Sequence, residues 1–261
     1  MIKLIASDMD GTLLQNGIRQ VSREQLSIIK ELTDAGIMFA PASGRQYTNL
    51  MRNFEPVRDK LIYICENGSF VKYKGETIYK KSLDRNLGLA IMENIYKRDG
   101  CEVLLSGEET SYIMPKSESY EEHMVNYVKN DVTVVRSFHE VKEDFIKISV
   151  YAQDGICNHS QYFHNKWSGY VKDTVSGACW QDFVMKGVHK GNALACIQER
   201  FNINVSETMA FGDNYNDIEM FGRAYYSYAM NSAADDVKKA ARYTSDTVQE
   251  VLSGWSEFCK G

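Results

Sequence analysis

The chain has 261 residues, of which 44% are hydrophobic and 25% charged, a composition typical of a globular protein that forms one large domain or a domain carrying a second one. A net charge of -5 with scattered basic residues argues against a nucleic-acid partner. Six widely spaced cysteines without a C-x-x-C pair, and no apolar run of membrane-spanning or signal-peptide length, lead us to expect a reduced, cytoplasmic protein without a membrane partner.

The first predicted strand ends in two carboxylates. Seven mostly apolar residues, typical of a strand buried on both faces, run directly into Asp8-Met9-Asp10-Gly11-Thr12. Carboxylates at positions i and i+2 of a strand point the same way and repel each other unless a cation lies beside them. One interpretation is a hard-metal site, such as Mg²⁺, with one carboxylate free to attack an electrophile. The alternative is a solvated strand end whose aspartates cap the next turn.

A helix and a second strand follow. Ser22 is predicted to cap the helix, and the buried strand at residues 36–40 leads into Ser43-Gly44-Arg45. A strand, a helix and a strand predict a right-handed βαβ unit in a parallel sheet, where ligands bind beyond the carboxyl ends of the strands. A hydroxyl and a glycine N–H beside the aspartates could cradle a phosphate, although a serine cap with a glycine turn explains the same residues.

The middle of the chain changes character. A third strand at residues 61–65 ends at Glu66-Asn67-Gly68, which we expect either to touch a substrate or only to turn the chain. A hairpin follows, and from about residue 82 a helix and short alternating segments predict an α+β module with an antiparallel sheet, inserted into the α/β one.

The last part returns to the α/β pattern. An amphipathic helix that opens at residues 187–192 carries Lys190 near its start. A buried strand at residues 208–211 then ends in a Gly-Asp-x-x-Asn-Asp motif, in which the polar residues are Asp213, Asn216 and Asp217. Two more short strands alternate with helices to the end.

Three strand ends therefore carry Asp-x-Asp-Gly-Thr, Ser-Gly-Arg and Gly-Asp-x-x-Asn-Asp, and a helix start between the last two carries a lysine. This combination resembles the haloacid dehalogenase superfamily of phosphatases, and the large insert resembles that of the Cof-type sugar-phosphate phosphatases. The resemblance implies an α/β fold with a Rossmann-like parallel-sheet core, residues 1–81 and 185–261. It also implies an inserted α+β cap domain, residues 82–184, that acts as a lid and sets substrate specificity.

The resemblance also implies a role for each motif residue. Asp8 would be the nucleophile that forms an aspartyl-phosphate, and Asp10 the general acid and base. Mg²⁺ would be held by the Asp8 carboxylate, the Asp10 backbone carbonyl and Asp213. The groups that would bind the transferring phosphoryl group belong to Met9, Ser43, Gly44, Lys190 and Asn216.

Other residues are expected to support the site. Thr12 and Arg45 would order it by bonding Asp10, while Asp217 either tunes the metal or holds Lys190, or is an ordinary acidic residue. His189 is expected to be a surface histidine rather than a general base. We expect Trp180 and Tyr112 in the core of the insert. Where the family commonly has other residues, this chain has Asp182, Met185 and Tyr215.

The sequence thus predicts a Mg²⁺-dependent phosphatase whose partner is a small phosphorylated metabolite, such as a sugar phosphate, a phosphorylated cofactor or a nucleotide. Two alternatives use the same residues: a phosphomutase, and a non-catalytic sensor of phosphorylated metabolites. The physiological substrate and the oligomeric state are not encoded in any motif that we identify.

Overall fold

The computed structural model describes residues 1–259, with side chains described as far as Trp255. The chain forms two compact units. The first, which we call the core unit, comprises residues 1–45, 50–79 and the chain from residue 189. The second, the insert unit, comprises residues 46–49 and 80–188. Among the described residues, no helix combines the length and the apolar character that a membrane span requires.

The first 80 residues supply five strands and two helices. In chain order these are β1 (Leu4–Asp8), α1 (Arg23–Asp34), β2 (Met38–Ala42), α2 (Tyr47–Met51), β3 (Ile62–Cys65), β4 (Phe70–Tyr73) and β5 (Glu76–Lys80). Helix α1 begins as the sequence predicts, because the Ser22 hydroxyl accepts from the Gln25 N–H and the Gln25 side chain accepts from the Ser22 N–H. Its buried residues, Ile28, Ile29 and Leu32, lie on one face of the helix.

The insert supplies six strands and three helices, one of which continues as a π-helix. They are α3 (Arg85–Tyr96), β6 (Cys101–Ser106), β7 (Ser111–Ile113), α4 (Glu118–Glu122) with the π-helix His123–Val128, β8 (Val132–Val134), β9 (Lys147–Ala152), α5 (Ser160–Trp167), β10 (Val171–Gly177) and β11 (Trp180–Met185). They form one sheet in the order β10-β11-β9-β6-β7-β8. Neighbouring strands in this sheet run antiparallel, except that β7 and β8 run parallel to each other.

Two residues of the insert pack and bond as members of its sheet. The Trp180 ring lies 4.8 Å from the Tyr151 ring, measured between centroids. The Tyr112 hydroxyl donates to Glu143. Asp182 is buried in β11, where it accepts a hydrogen bond from Ser149 at 2.6 Å.

The remainder of the core unit comprises α6 (Lys190–Phe201), β12 (Thr208–Gly212), α7 (Ile218–Phe221), β13 (Tyr226–Met230), α8 (Asp235–Ala240), β14 (Tyr243–Ser245) and α9 (Val248–Cys259). The eight-stranded sheet has the order β14-β13-β12-β1-β2-β3-β4-β5, with β1 parallel to both of its neighbours. The strands from β14 to β3 in this order run parallel, and β4 pairs antiparallel with β3. The parallel part of the sheet, with its helices, confirms the predicted α/β class.

Register explains why distant motifs meet. Strand β1 is central and buried throughout, and its Asp8 pairs with Ala42 of β2 while Ser7 pairs with Phe211 of β12. Because the three strands are parallel, the residues that follow them leave the sheet at the same edge. The Asp8, Ser43 and Asp213 segments are therefore neighbours.

Helix α6 is anchored on its neighbour by a close backbone approach. A Cβ added to Gly191 would lie 2.4 Å from the carbonyl oxygen of Glu219, at the start of α7. The buried residues Ala193, Leu194 and Ile197 continue this packing into the core of the unit. The position of Lys190, one residue earlier, thus depends on a glycine that admits the backbone of α7.

We predict that Gly191→Ala lowers the free energy of unfolding by about 2 kcal/mol, because the new methyl group overlaps backbone that cannot move independently. The control is Gly254→Ala in α9, where an added Cβ meets nothing within 4 Å. That substitution should leave stability unchanged or raise it by up to about 1 kcal/mol through helix propensity. Urea denaturation of both variants measures the difference, and equal effects would contradict the packing described.

Candidate active site

Asp8 is a buried carboxylate at the end of the central strand. Its side chain is 10% exposed, and Oδ1 accepts a hydrogen bond from the ammonium group of Lys190. Oδ2 is buried and has no hydrogen-bond partner among the described residues. Burial raises the pKa of Asp8 to about 7, with Asp217 and Asp213 adding to the rise and Lys190 opposing it. A buried acceptor in this state is available to a ligand, an ion or a water molecule.

Lys190 is the first residue of α6 and is fully buried. Its Nζ donates to Asp8 and, at 2.7 Å, to Oδ1 of Asp217. Burial alone would lower the pKa of Lys190, but the two carboxylates outweigh it and raise that pKa above its usual value. The ammonium group therefore stays charged and holds two segments of the chain together.

Asp217 lies inside the site rather than on the surface. Its side chain is fully buried, and its Oδ2 accepts from the backbone N–H groups of Asp213 and Asn214, both at 3.1 Å. With Oδ1 on Lys190, both oxygens are occupied. Of the alternatives that the sequence leaves open, the geometry favours a residue that holds Lys190 and shapes the loop bearing Asp213.

Asp213 extends the acidic group towards Asp8. The Thr12 hydroxyl donates to Oδ1 of Asp213 at 2.8 Å. We expected Thr12 to bond Asp10, and that expectation is wrong. The error arises because Gly11 turns the chain at φ +97° and sends Thr12 towards β12. Burial raises the pKa of Asp213. Gly11 also admits Asp213, because a Cβ at this position would lie 2.2 Å from its Oδ2.

The acidic side chains suit a divalent cation. One carboxylate oxygen from each of Asp8, Asp213 and Asp217 lies within 4.8 Å of the others. The single charge of Lys190, which bonds two of these carboxylates, is less than the three negative charges that the group carries when ionised. Mg²⁺ prefers hard oxygen ligands such as carboxylates. Oδ2 of Asp8 has no hydrogen-bond partner among the described residues and is available to such an ion, so the residues fit Mg²⁺.

Asp10 stands apart from this cluster. Its side chain is 60% exposed, and Arg45 binds both of its oxygens, through Nε at 3.0 Å and Nη2 at 2.5 Å. The Asp10 side chain is therefore bonded to Arg45 and not to the acidic group around Asp8, and the predicted contribution of Asp10 to the Mg²⁺ site is its backbone carbonyl. Asp10 lies beyond the end of β1, where strand alternation no longer fixes its direction.

The predicted phosphate-binding residues are brought to the same edge of the sheet. Ser43 is buried, and its hydroxyl oxygen accepts from the Arg45 N–H at 3.2 Å. Met9 is also buried, and its carbonyl accepts from Leu14 N at 2.7 Å, which closes the turn after β1. Asn216 is exposed and lies on the short helical turn after β12.

The turn after β3 also belongs to this region. Asn216 donates to Oδ1 of Asn67 at 3.3 Å, and a Cβ on Gly44 would lie 3.0 Å from Nδ2 of Asn67. The sequence showed an Asn-Gly pair after a buried strand but could not distinguish a simple turn from a site residue. The contacts with Gly44 and Asn216 are what single it out.

Two further residues have structural partners. His189 is partly exposed and caps α6, with Nδ1 accepting from the Asn192 N–H at 3.2 Å. The signal was present, because a polar residue directly before an amphipathic helix is a cap candidate. The exposed Tyr215 donates to Asp236 of α8 at 3.1 Å.

Comparison with known proteins agrees with this geometry. The family model for haloacid dehalogenase-like hydrolases matches residues 5–254. The chain belongs to this family. A 5-amino-6-(5-phospho-D-ribitylamino)uracil phosphatase of Escherichia coli is 30% identical in sequence to this haloacid dehalogenase-like hydrolase. The alignment covers 98% of each of the two chains. A phosphatase of Bacillus subtilis is 29% identical, over 92% of this chain and 93% of its own.

Solved structures give the same result for the fold. A crystal structure from Eubacterium rectale matches with a TM-score of 0.87 at 29% identity, over 97% of this chain and 99% of its own. The resemblance drawn from the sequence motifs is thus confirmed, and the haloacid dehalogenase-like hydrolase is an enzyme of the phosphatase type.

We predict that Gly11→Ala lowers phosphatase activity by at least about 10²-fold, because displacing a site carboxylate by 1 Å can cost that much. The matched control is Gly17→Ala, which also has positive φ, +74°, but has nothing within 4 Å of an added Cβ. Both variants carry backbone strain, and only the first displaces Asp213. Equal activity losses in the two would contradict the proposed displacement.

We predict that Asp217→Asn lowers the free energy of unfolding by about 3 kcal/mol, the usual effect of removing one charge from a buried ion pair. The new amide would also direct N–H groups towards backbone donors. Asp34→Asn, on the surface of α1 beside Lys30 and Lys60, is the control and should change stability much less. Urea denaturation measures both, and wild-type stability in Asp217→Asn would refute the buried network.

Proposed function

We propose that this enzyme is a Mg²⁺-dependent phosphatase that hydrolyses a small phosphomonoester through an aspartyl-phosphate on Asp8. The observation that carries the proposal is the state of the Asp8 carboxylate. It is buried at the carboxyl end of the central strand, with one oxygen held by Lys190 and the other unsatisfied among the described residues. A phosphoryl group is an electrophile that such a carboxylate can attack.

The reaction has two displacements. An Asp8 oxygen forms a bond to phosphorus while the ester P–O bond breaks, and Asp10 gives its proton to the departing alcohol. Water then attacks the phosphorus of the aspartyl-phosphate, Asp10 takes its proton, and phosphate leaves as the Asp8 carboxylate is restored. In the present arrangement Arg45 donates to both Asp10 oxygens, so the proton is carried on a lone pair that Arg45 leaves free.

The other residues bind and orient the anion. Lys190, the Ser43 hydroxyl and the Asn216 amide supply donors, together with the backbone N–H groups of Met9 and Gly44. Mg²⁺ would be held by the carboxylates of Asp8 and Asp213 and by the backbone carbonyl of Asp10. Asp217 would support this site by bonding the backbone N–H of Asp213. When bound, the ion supplies positive charge that lets the carboxylate approach a phosphate anion.

We infer the substrate class from the separate roles of the core unit and the insert unit. All the residues assigned above lie in the core unit, and their donors recognise only the phosphoryl group. We therefore propose that the insert unit selects the alcohol part, as a cap domain that excludes water from the aspartyl-phosphate. A sugar phosphate, or a phosphorylated cofactor or nucleotide, is the proposed class. The Escherichia coli relative, named for a phosphorylated ribityl compound, supports this choice.

We predict that Asp8→Asn and Asp10→Asn each lower kcat by at least about 10²-fold with p-nitrophenyl phosphate and Mg²⁺, since each removes a group required by the chemistry. After acid quenching during turnover, mass spectrometry should find phosphate on wild-type Asp8 and none on the Asp8→Asn protein. Asp34→Asn serves as the surface control.

The same assay separates the alternatives. A sensor shows no magnesium-dependent turnover in any form, and a phosphomutase hydrolyses poorly until its own sugar phosphates are supplied. Wild-type rates from Asp8→Asn would show that another group is the nucleophile.

A further inference from the structure

Asn67 lies at the centre of an unusual turn. Three consecutive residues, Glu66, Asn67 and Gly68, have φ values of +48°, +56° and +93°. Two of the three are not glycine, and such a conformation persists only where surrounding contacts enforce it. Asparagine tolerates the left-handed region better than most residues, so the backbone alone would accept asparagine or glycine here.

The asparagine side chain makes contacts that a glycine could not. Oδ1 of Asn67 accepts from Nδ2 of Asn216 at 3.3 Å. The amide also lies against Gly44, where an added Cβ would come within 3.0 to 3.3 Å of its three terminal atoms. The backbone N–H of Asn67 donates to the Ser43 carbonyl at 2.9 Å. One residue therefore touches the Ser43–Gly44 loop and the loop that carries Asn216.

The next residue fixes the turn against a third segment. A Cβ on Gly68 would lie 2.5 Å from the carbonyl oxygen of His189 and 2.9 Å from the N atom of Lys190. The turn after β3 thus contacts the start of α6 through Gly68 and the two phosphate-binding loops through Asn67. These segments are distant in sequence, and the start of α6 is also bonded to the loop bearing Asn216 through Lys190 and Asp217.

We propose that Asn67 is a positioning residue, which sets the spacing between the Gly44 loop and the Asn216 amide so that both donors meet one phosphoryl group. The inference rests on the proposed function and deepens it. Donors fixed before the anion arrives stabilise it without reorganisation, and a loose pair of loops would lose that advantage.

The test is Asn67→Gly, which keeps the left-handed backbone and removes only the amide. Its matched control is Asn202→Gly at the C-cap of α6, where φ is +50° and the backbone N–H bonds to the carbonyls of Gln198 and Glu199 in the same helix. With p-nitrophenyl phosphate, kcat/KM of Asn67→Gly should fall about 10-fold, the value of one well-placed hydrogen bond. The inhibition constants of inorganic phosphate and orthovanadate should rise by a similar factor, while the midpoint of urea denaturation stays close to that of Asn202→Gly.

A double-mutant cycle with Asn216→Ala shows whether the two amides act as a unit. If Asn67 acts by holding Asn216, the double variant should lose about as much activity as the worse single variant, rather than the product of the two losses. Wild-type kinetics in Asn67→Gly, or losses that multiply, would overturn the inference while leaving the phosphatase intact. An inactive wild-type enzyme would instead overturn the proposed function, and this inference with it.

Discussion

The buried ammonium group of Lys190 is the constraint on which the site depends. A charge taken out of water is strongly unfavourable unless opposite charges and hydrogen bonds surround it. Lys190 satisfies this requirement by binding Asp8 from the first strand and Asp217 from the loop after β12. Removing either carboxylate would take away one of the two acceptors that Lys190 is shown to bond, in a place with almost no solvent. The fold and the site are thus stabilised by the same three side chains.

Close backbone approaches make that arrangement possible. Glycine occurs where a Cβ would displace a carboxylate, at Gly11 beside Asp213 and at Gly212, where an added Cβ would lie 2.4 Å from the Asp217 side chain. Elsewhere Gly191 admits the backbone of α7 and so fixes the start of α6. These positions have no chemistry of their own. These glycines allow the carboxylates and Lys190 of the candidate active site to come together.

Much of this could be predicted because the information is local. A buried strand that ends in Asp8, and a helix that opens at Lys190, are visible as patterns of a few residues, and their combination identified the family. The partner of Thr12 could not be predicted, because it depends on how Gly11 redirects the chain towards β12. The sequence does not indicate strand β8, because three residues at the edge of a sheet are too few to show a period.

The roles of Asp217 and Asn67 cannot be predicted from the sequence for a related reason. Each makes its decisive contacts with residues far away in sequence, Lys190 in one case and Asn216 in the other. An aspartate four residues after another, or an Asn-Gly pair after a strand, occurs in many turns that bind nothing. Only the register of the sheet decides which of these turns faces the site.

The central claim is that Asp8 is the group that takes the phosphoryl moiety, with a divalent ion held by its acidic neighbours. A crystal structure of the enzyme soaked with Mg²⁺ and beryllium fluoride, a mimic of an aspartyl-phosphate, tests it most directly. The account predicts beryllium bonded to the Asp8 carboxylate and Mg²⁺ within about 2.1 Å of oxygens from Asp8 and Asp213. Beryllium on another carboxylate, or an Asp8 side chain with neither ion beside it, would contradict the account.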